Sequence, residues 1–177
     1  MGSTLAATSR AAAACTLALA LASCGGTSNA KNTSAAGAHA RVGDAAPDWS
    51  EATTQGPALT MTSLRGKAVY LNFFATWCPP CNEEAPAINA LQREFGARGL
   101  QVVGVDVLEN ARKAADFSRG HHLTYPVVVD DGTLRDQYAV NGLPVHVFID
   151  RRGTVRKIVV GELSALQMRA NVAGLLQ

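Results

Sequence analysis

The sequence is short of charge. Asp, Glu, Lys and Arg make up 17% of its 177 residues, and 16 basic against 14 acidic side chains leave a formal net charge of +2. No basic run or stripe accompanies that balance, so there is no electrostatic footprint for nucleic acid. Long apolar runs are also missing. The longest, residues 11–22, falls short of the ~20 apolar residues of a membrane-spanning helix, which argues against a helical transporter or channel. No internal repeat is visible, and cysteine is scarce, with four in the chain. What the chain does have is 47% hydrophobic residues, enough for the core of one ordinary domain and too many for a disordered chain.

Residues 1–23 read as an export signal, with Arg10 as the only charge ahead of the apolar stretch. The stretch ends in Leu21-Ala22-Ser23-Cys24, followed by Gly25, which resembles a bacterial lipobox. That pattern implies cleavage before Cys24 and a lipid on its sulfur, and hence an anchor to the membrane. An ordinary secretory signal with a chance cysteine is the blander reading. Residues 25–40 contain no large apolar side chain and read as a flexible tether with a reach of about 22 Å. Cys15 leaves with the signal, so Cys78 and Cys81 are the thiols that remain. A single pair three residues apart closes too small a loop to act as a staple and points to chemistry instead.

From residue 41 onward the pattern is α/β. Residues 69–74, Val-Tyr-Leu-Asn-Phe-Phe, form a nearly continuous apolar run, as in a strand covered on both faces. Ile88, Leu91 and Phe95 then recur at helical spacing and stop at Gly96 and Gly99. Residues 101–107 predict a second buried strand, 110–119 a helix, 127–129 a third strand and 133–138 a short helix. Residues 145–149 and 154–160 predict two strands joined by a hairpin turn at 151–153. A last helix over 163–176 has Leu166, Ala170 and Ala173 as its apolar row. The closing hairpin makes the expected central sheet mixed, with helices on its faces.

Trp77-Cys78-Pro79-Pro80-Cys81 lies between the first strand and the first helix. Cys78 falls at the helix N-terminus, where unpaired N–H groups and the helix dipole favour a thiolate. Cys81 is one turn on, so the two sulfurs can join without backbone movement. The pattern makes Cys78 the exposed attacker and Cys81 the more buried resolving thiol. Proline in the first turn costs nothing, because its missing N–H would be unpaired there anyway. Other cysteine chemistries lack their partners. A zinc site needs a second cysteine pair or a close His pair, and the adjacent His121 and His122 read as surface residues. Haem attachment needs His after the second cysteine, where Asn82 stands. A peroxide-reducing site needs Ser or Thr three residues before the cysteine, where Ala75 stands.

Residues 67–86, from Lys67 through the cysteine pair to Pro86, resemble the extracytoplasmic TlpA and ResA group of thioredoxin-like proteins, and the similarity extends over nearly all of 41–177. Residues 42–48 resemble the group's opening, which precedes an N-terminal hairpin. Pro86 matches its helix-kinking proline, Gly161 the glycine after the last strand, and residues 110–129 its helix-strand insertion. Gly142-Leu143-Pro144 matches the loop whose proline is cis and faces the dithiol. The resemblance implies a thioredoxin-like mixed central sheet flanked by helices. Two positions depart from plain thioredoxin. Its buried Asp six residues before the first cysteine is Asn72 here, and in the TlpA/ResA group a Glu three residues after the second cysteine, Glu84 here, belongs to the site. A solvated carboxylate is the blander reading of Glu84. His146 reads as a packed strand residue in preference to a catalytic one.

The expectation is a monomeric, lipid-anchored thiol–disulfide oxidoreductase on the extracytoplasmic face of a bacterial membrane. It would work on thiols or disulfides of other proteins, without metal or organic cofactor. Cys78, Cys81 and Glu84 would do the chemistry, Leu143 and Pro144 would dock an extended substrate segment by strand addition, and Trp77 would flank the sulfur. Resemblance to ResA implies a reductant of apocytochrome c cysteines that is itself reduced by a membrane-embedded thiol–disulfide carrier. A disulfide-forming oxidase is the alternative within the fold. A Sco-type copper chaperone, with Cys78, Cys81 and His146 as ligands, is the rival outside it, although that family spaces its cysteines by three residues and not two.

Overall fold

A computed structural model describes residues 39–177. The signal, Cys15, the lipobox with Cys24, and residues 25–38 of the tether lie outside the described residues. The last two tether residues do not hang free: His39 Nδ1 lies 2.7 Å from the Asp136 carbonyl, and the Ala40 N–H donates to that of Gln137 at 2.8 Å. Both contacts are made to carbonyls at the C-terminal end of a short helix, Thr133–Gln137.

Two short strands, β1 (Ser50–Glu51) and β2 (Leu59–Thr60), pair antiparallel as the expected N-terminal hairpin. The central sheet follows, built from β3 (Ala68–Phe74), β4 (Leu100–Val107), β5 (Val127–Asp130), β6 (Val145–Ile149) and β7 (Val155–Val160). Its order is β5-β4-β3-β6-β7. The β3–β4 and β4–β5 pairs are parallel, and the β3–β6 and β6–β7 pairs antiparallel. Helices α1 (Pro79–Phe95), α2 (Ala111–Gly120), α3 (Thr133–Gln137) and α4 (Ala165–Leu175) complete the fold. None of the helices among the described residues is long and apolar enough to cross a membrane.

Central strand β3 is buried along its whole length, and its alternation divides the core in two. Tyr70 and Phe74 face the layer that contains Ile88 and Phe95 of α1 and Met168 and Val172 of α4. Val69, Leu71 and Phe73 face the opposite layer with Leu134, Val147 and Val155. In β4, Gly104 is the one residue whose lack of a Cβ is a packing requirement. A Cβ there would meet Phe74, Val127 and Tyr125 side chains at 3.1 to 3.3 Å.

The last helix is rotated from expectation. Leu166 and Ala170 are exposed, and Met168, Val172 and Leu175 form the buried face. Both rows have the i, i+4, i+7 spacing of a helical stripe. The row with three large side chains removes more apolar surface from water than the row with two alanines, so it takes the core. A reciprocal Ser164–Gln167 capping box starts the helix.

Candidate active site

β3 runs into a tight loop that presents Cys78 as the N-cap of α1, with Pro79 and Pro80 in the first turn. Cys78 and Cys81 are joined as a disulfide. The Cys78 sulfur also accepts the Cys81 N–H at 3.4 Å, so an unpaired donor of the helix start points at the sulfur. The expected contrast in exposure does not hold: Cys78 is 3% and Cys81 2% exposed. In the disulfide both sulfurs are tied down in the first turn, and neither is held out to solvent. They differ in what they face. Cys78, but not Cys81, lines a groove of about 750 Å³ together with Trp77, Pro79, Pro80, Leu108 and Leu143.

Three side chains hold the loop before Cys78. The Glu109 carboxylate accepts the Thr76 N–H at 2.5 Å and the Thr76 hydroxyl at 2.8 Å. The Asn82 amide donates to the carbonyls of Thr76 and Cys78 at 3.0 and 2.8 Å. His121, expected on the surface, is instead half-buried against Phe117, with Nε2 3.1 Å from Asn82 Oδ1. None of these roles is readable from the motif, since Glu109 and His121 arrive from the far ends of β4 and α2. The chain does carry one signal, Asp106, the lone acid in a valine-rich strand. It is fully buried, and among the described residues neither of its oxygens receives a hydrogen bond. Burial first, and the neighbouring Glu109 second, push its pKa up to about 8. The physical reading is a neutral Asp106 sharing a proton with Glu109, whose own value is held down by the Thr76 and Lys113 donors.

The Leu143–Pro144 peptide bond is cis. Of the two residues expected to dock a substrate segment, Pro144 has no free backbone group. Proline has no N–H, and the Pro144 carbonyl already accepts the Gly161 N–H at 2.9 Å. Among the described residues, the Leu143 N–H and C=O have no partner, so Leu143 carries the free backbone groups of this edge. On the other side of the groove stand Trp77, 62% exposed, and Leu108, also exposed and held in the left-handed region at φ 64. A large apolar residue is uncommon there, and such strain persists where surrounding structure imposes it.

Glu84 is not a solvated first-turn acid. It is buried on the α1 face that carries Cys81, one turn away, while Glu83 is exposed. Its Oε1 accepts the Leu163 N–H at 2.6 Å, and its Oε2 has no hydrogen-bond donor among the described residues. Desolvation raises the Glu84 pKa to about 7, against the Leu163 hydrogen bond, with Glu162 adding repulsion. His146 faces that orphan oxygen, with Nε2 at 3.5 Å. It is a packed strand histidine, as expected, fully buried, with burial driving its pKa down to about 4. Cys78, Cys81 and His146 do not gather as a ligand set. Among the described residues the one cluster of three or more potential metal ligands is Glu51, Asp130 and Asp131. Asp130 there is already engaged by the N–H groups of Gly132, Leu134 and Arg135.

Comparison with known proteins agrees with this geometry. Residues 42–158 match the AhpC/TSA family. Thiol-disulfide oxidoreductase ResA of Geobacillus thermodenitrificans is 36% identical over 124 residues, covering 70% of this chain and 71% of that one. ResA of Bacillus subtilis is 34% identical over 123 residues, covering 69% of each. The crystal structure of a thiol:disulfide interchange protein described as DsbE, from Chlorobium tepidum, superposes with a TM-score of 0.73 at 30% identity, over 78% of this chain and 99% of that one. The thioredoxin-like fold with its cysteine pair and the ResA relatives lead to one conclusion: the chain belongs to the AhpC/TSA family and is a thiol–disulfide oxidoreductase.

Proposed function

We propose that this oxidoreductase is a lipid-anchored reductant working outside the cytoplasmic membrane, with cysteine pairs of proteins such as apocytochrome c as its substrates. In this reading residues 1–23 are the export signal, Cys24 carries the lipid and the following tether lets the domain rotate toward partners in and on the membrane. The observation that carries the substrate class is the groove at Cys78. It is open, lined by Trp77 and Leu143, and adjacent to the unpaired backbone of Leu143, which suits an extended protein segment.

The reduced enzyme starts from a Cys78 thiolate, favoured by the N–H groups of the α1 start. It attacks one sulfur of the substrate disulfide, forming a Cys78–substrate mixed disulfide and releasing one substrate thiolate. Cys81 then gives its proton to the Glu84 carboxylate and attacks the Cys78 sulfur. The Cys78–Cys81 disulfide forms, the second substrate sulfur leaves as a thiolate, and the two substrate thiolates take protons from solvent and from Glu84. Two electrons pass from the enzyme dithiol to the substrate. A membrane-embedded thiol–disulfide carrier would return them.

Equilibration against dithiothreitol and glutathione buffers tests the direction. Each 30 mV is about 1.4 kcal/mol, so the potential separates the two directions cleanly. A strongly reducing potential, together with reduction of an oxidised Cys-x-x-Cys-His peptide, is expected. A potential near the strong oxidants would assign the oxidase direction instead.

A further inference from the structure

The orphan oxygen of Glu84 and the histidine facing it carry a further step, which rests on the reading of Glu84 as the proton acceptor for Cys81. We propose that His146 is a positioning residue for this reaction, a fixed neutral donor whose Nε2–H stabilises the ionised Glu84 carboxylate and so lets it accept the Cys81 proton from within the core.

Three contacts determine the tautomer. His146 Nε2 lies 3.2 Å from the carbonyl of Gly161, which can only accept, so Nε2 carries the hydrogen. Nδ1 lies 2.8 Å from the Tyr70 hydroxyl and 3.4 Å from the Asn72 amide nitrogen, both of which donate. Burial keeps the ring neutral, and Tyr70, raised well above its ordinary value by burial and then by Glu84, keeps its proton to give. Gly161 adopts φ 93, a left-handed conformation open to glycine, and its N–H bonds to Pro144 while its carbonyl bonds to His146.

The Nε2–H thus lies between two acceptors, the Gly161 carbonyl at 3.2 Å and Glu84 Oε2 at 3.5 Å. It serves the carbonyl while Glu84 is protonated and is drawn toward Oε2 when the carboxylate ionises. Leu163 N–H holds Oε1, Glu162 repels the charge, Tyr70 and Asn72 donate to the imidazole, and Cys81 lies one turn back along α1. Among the described residues no other donor reaches Oε2. Without His146, an ionised Glu84 would keep a bare oxygen in the core, and the carboxyl would hold its proton to higher pH.

The test is the pH dependence of disulfide exchange in the wild type, His146→Phe, His146→Gln, Glu84→Gln and the Glu84→Gln/His146→Phe double variant. In the wild type, exchange falls as pH drops through the Glu84 ionisation, since a protonated carboxyl accepts nothing. His146→Phe is expected to move that limb upward by a unit or more, lowering the rate at neutral pH about tenfold. His146→Gln, which restores an N–H, returns it, and in the Glu84→Gln background the histidine change moves nothing further. An unmoved limb in His146→Phe overturns the proposal. So does an equal shift in the double variant. A limb unmoved by Glu84→Gln, with Glu83→Gln as its matched control, instead overturns the underlying reading of Glu84. Nitrogen-15 NMR of the wild type needs no variant. His146 should show a neutral ring with Nε2–H throughout, and that proton should shift as Glu84 ionises. A signal that stays still from pH 6 to 8 also overturns the proposal.

Discussion

Asp106→Asn isolates the cost of one buried carboxyl. Asp106 is fully buried, neither oxygen receives a hydrogen bond, and its pKa rises from 3.8 to about 8. From about pH 4 to 8 the folded chain keeps a proton there that the unfolded chain has released. The folded state binds more protons, so this contribution to stability is complete below the unfolded value and is lost as pH rises through the folded one. The slope is about 1.36 kcal/mol per pH unit. Between pH 5 and 7 that amounts to about 2–3 kcal/mol, or on the order of 8 °C of Tm in a domain of this size. Glu51 and Glu84, both raised from 4.5 to about 7 chiefly by burial, add losses of the same sign across that interval, in both proteins alike. Asparagine keeps the shape, does not titrate, and can donate to Glu109 as the protonated acid does. Calorimetry of the oxidised protein at pH 5, 6 and 7, at fixed ionic strength, should show variant and wild type close together at pH 5. At pH 7 the variant should melt about 8 °C higher. Parallel Tm curves for the two proteins would refute the assignment of a neutral Asp106.

Cys78→Ser should abolish exchange, whereas Cys81→Ser should accumulate mixed disulfides, because the resolving thiol is gone; equal trapping by both on a non-reducing gel contradicts the assigned roles. Cys24→Ala should leave the domain active and release it from membranes, and a variant still sedimenting with membranes after a salt wash sinks the lipid anchor. Gly104→Ala should cost about 1–3 kcal/mol, read from the urea midpoint, because its Cβ would press on three buried side chains.

What the sequence makes legible depends on the range of the interaction. β3 can be read because a strand covered on both faces is apolar throughout, and the Cys-Pro-Pro-Cys segment because helix start, prolines and sulfur spacing are all local. The direction of α4 is not legible, since two stripes fit its period and only the packing chooses between them. The loop supports are hidden for another reason. Glu109 and His121 lie 33 residues from Thr76 and 39 from Asn82 in sequence, and meet them only once the sheet has assembled. Asp106 stands between the two cases. A lone acid in the valine-rich β4 is visible in the chain, but the neighbour that makes it tolerable is not.

The same register explains why Asn72 suits this site. Asn72 of β3 pairs directly with His146 of β6, and their side chains fall on the face covered by α1 and α4. Plain thioredoxin keeps a carboxylate at the Asn72 position. Here a buried carboxylate beside His146 would favour the imidazolium, since an opposite charge within a few ångströms stabilises the charged ring. An imidazolium would hold Glu84 as a permanent anion, paired and unable to take up a proton at working pH. Asparagine instead places a neutral amide near Nδ1, leaves the ring uncharged, and keeps Nε2–H as a dipole and not a charge. In the mechanism proposed above, a neutral donor stabilises the ionised Glu84 enough for it to accept the Cys81 proton but not so much that it cannot release it. On the proposed reading of Glu84, Asn72 and His146 therefore serve one end, a proton acceptor on the helix and not on the strand.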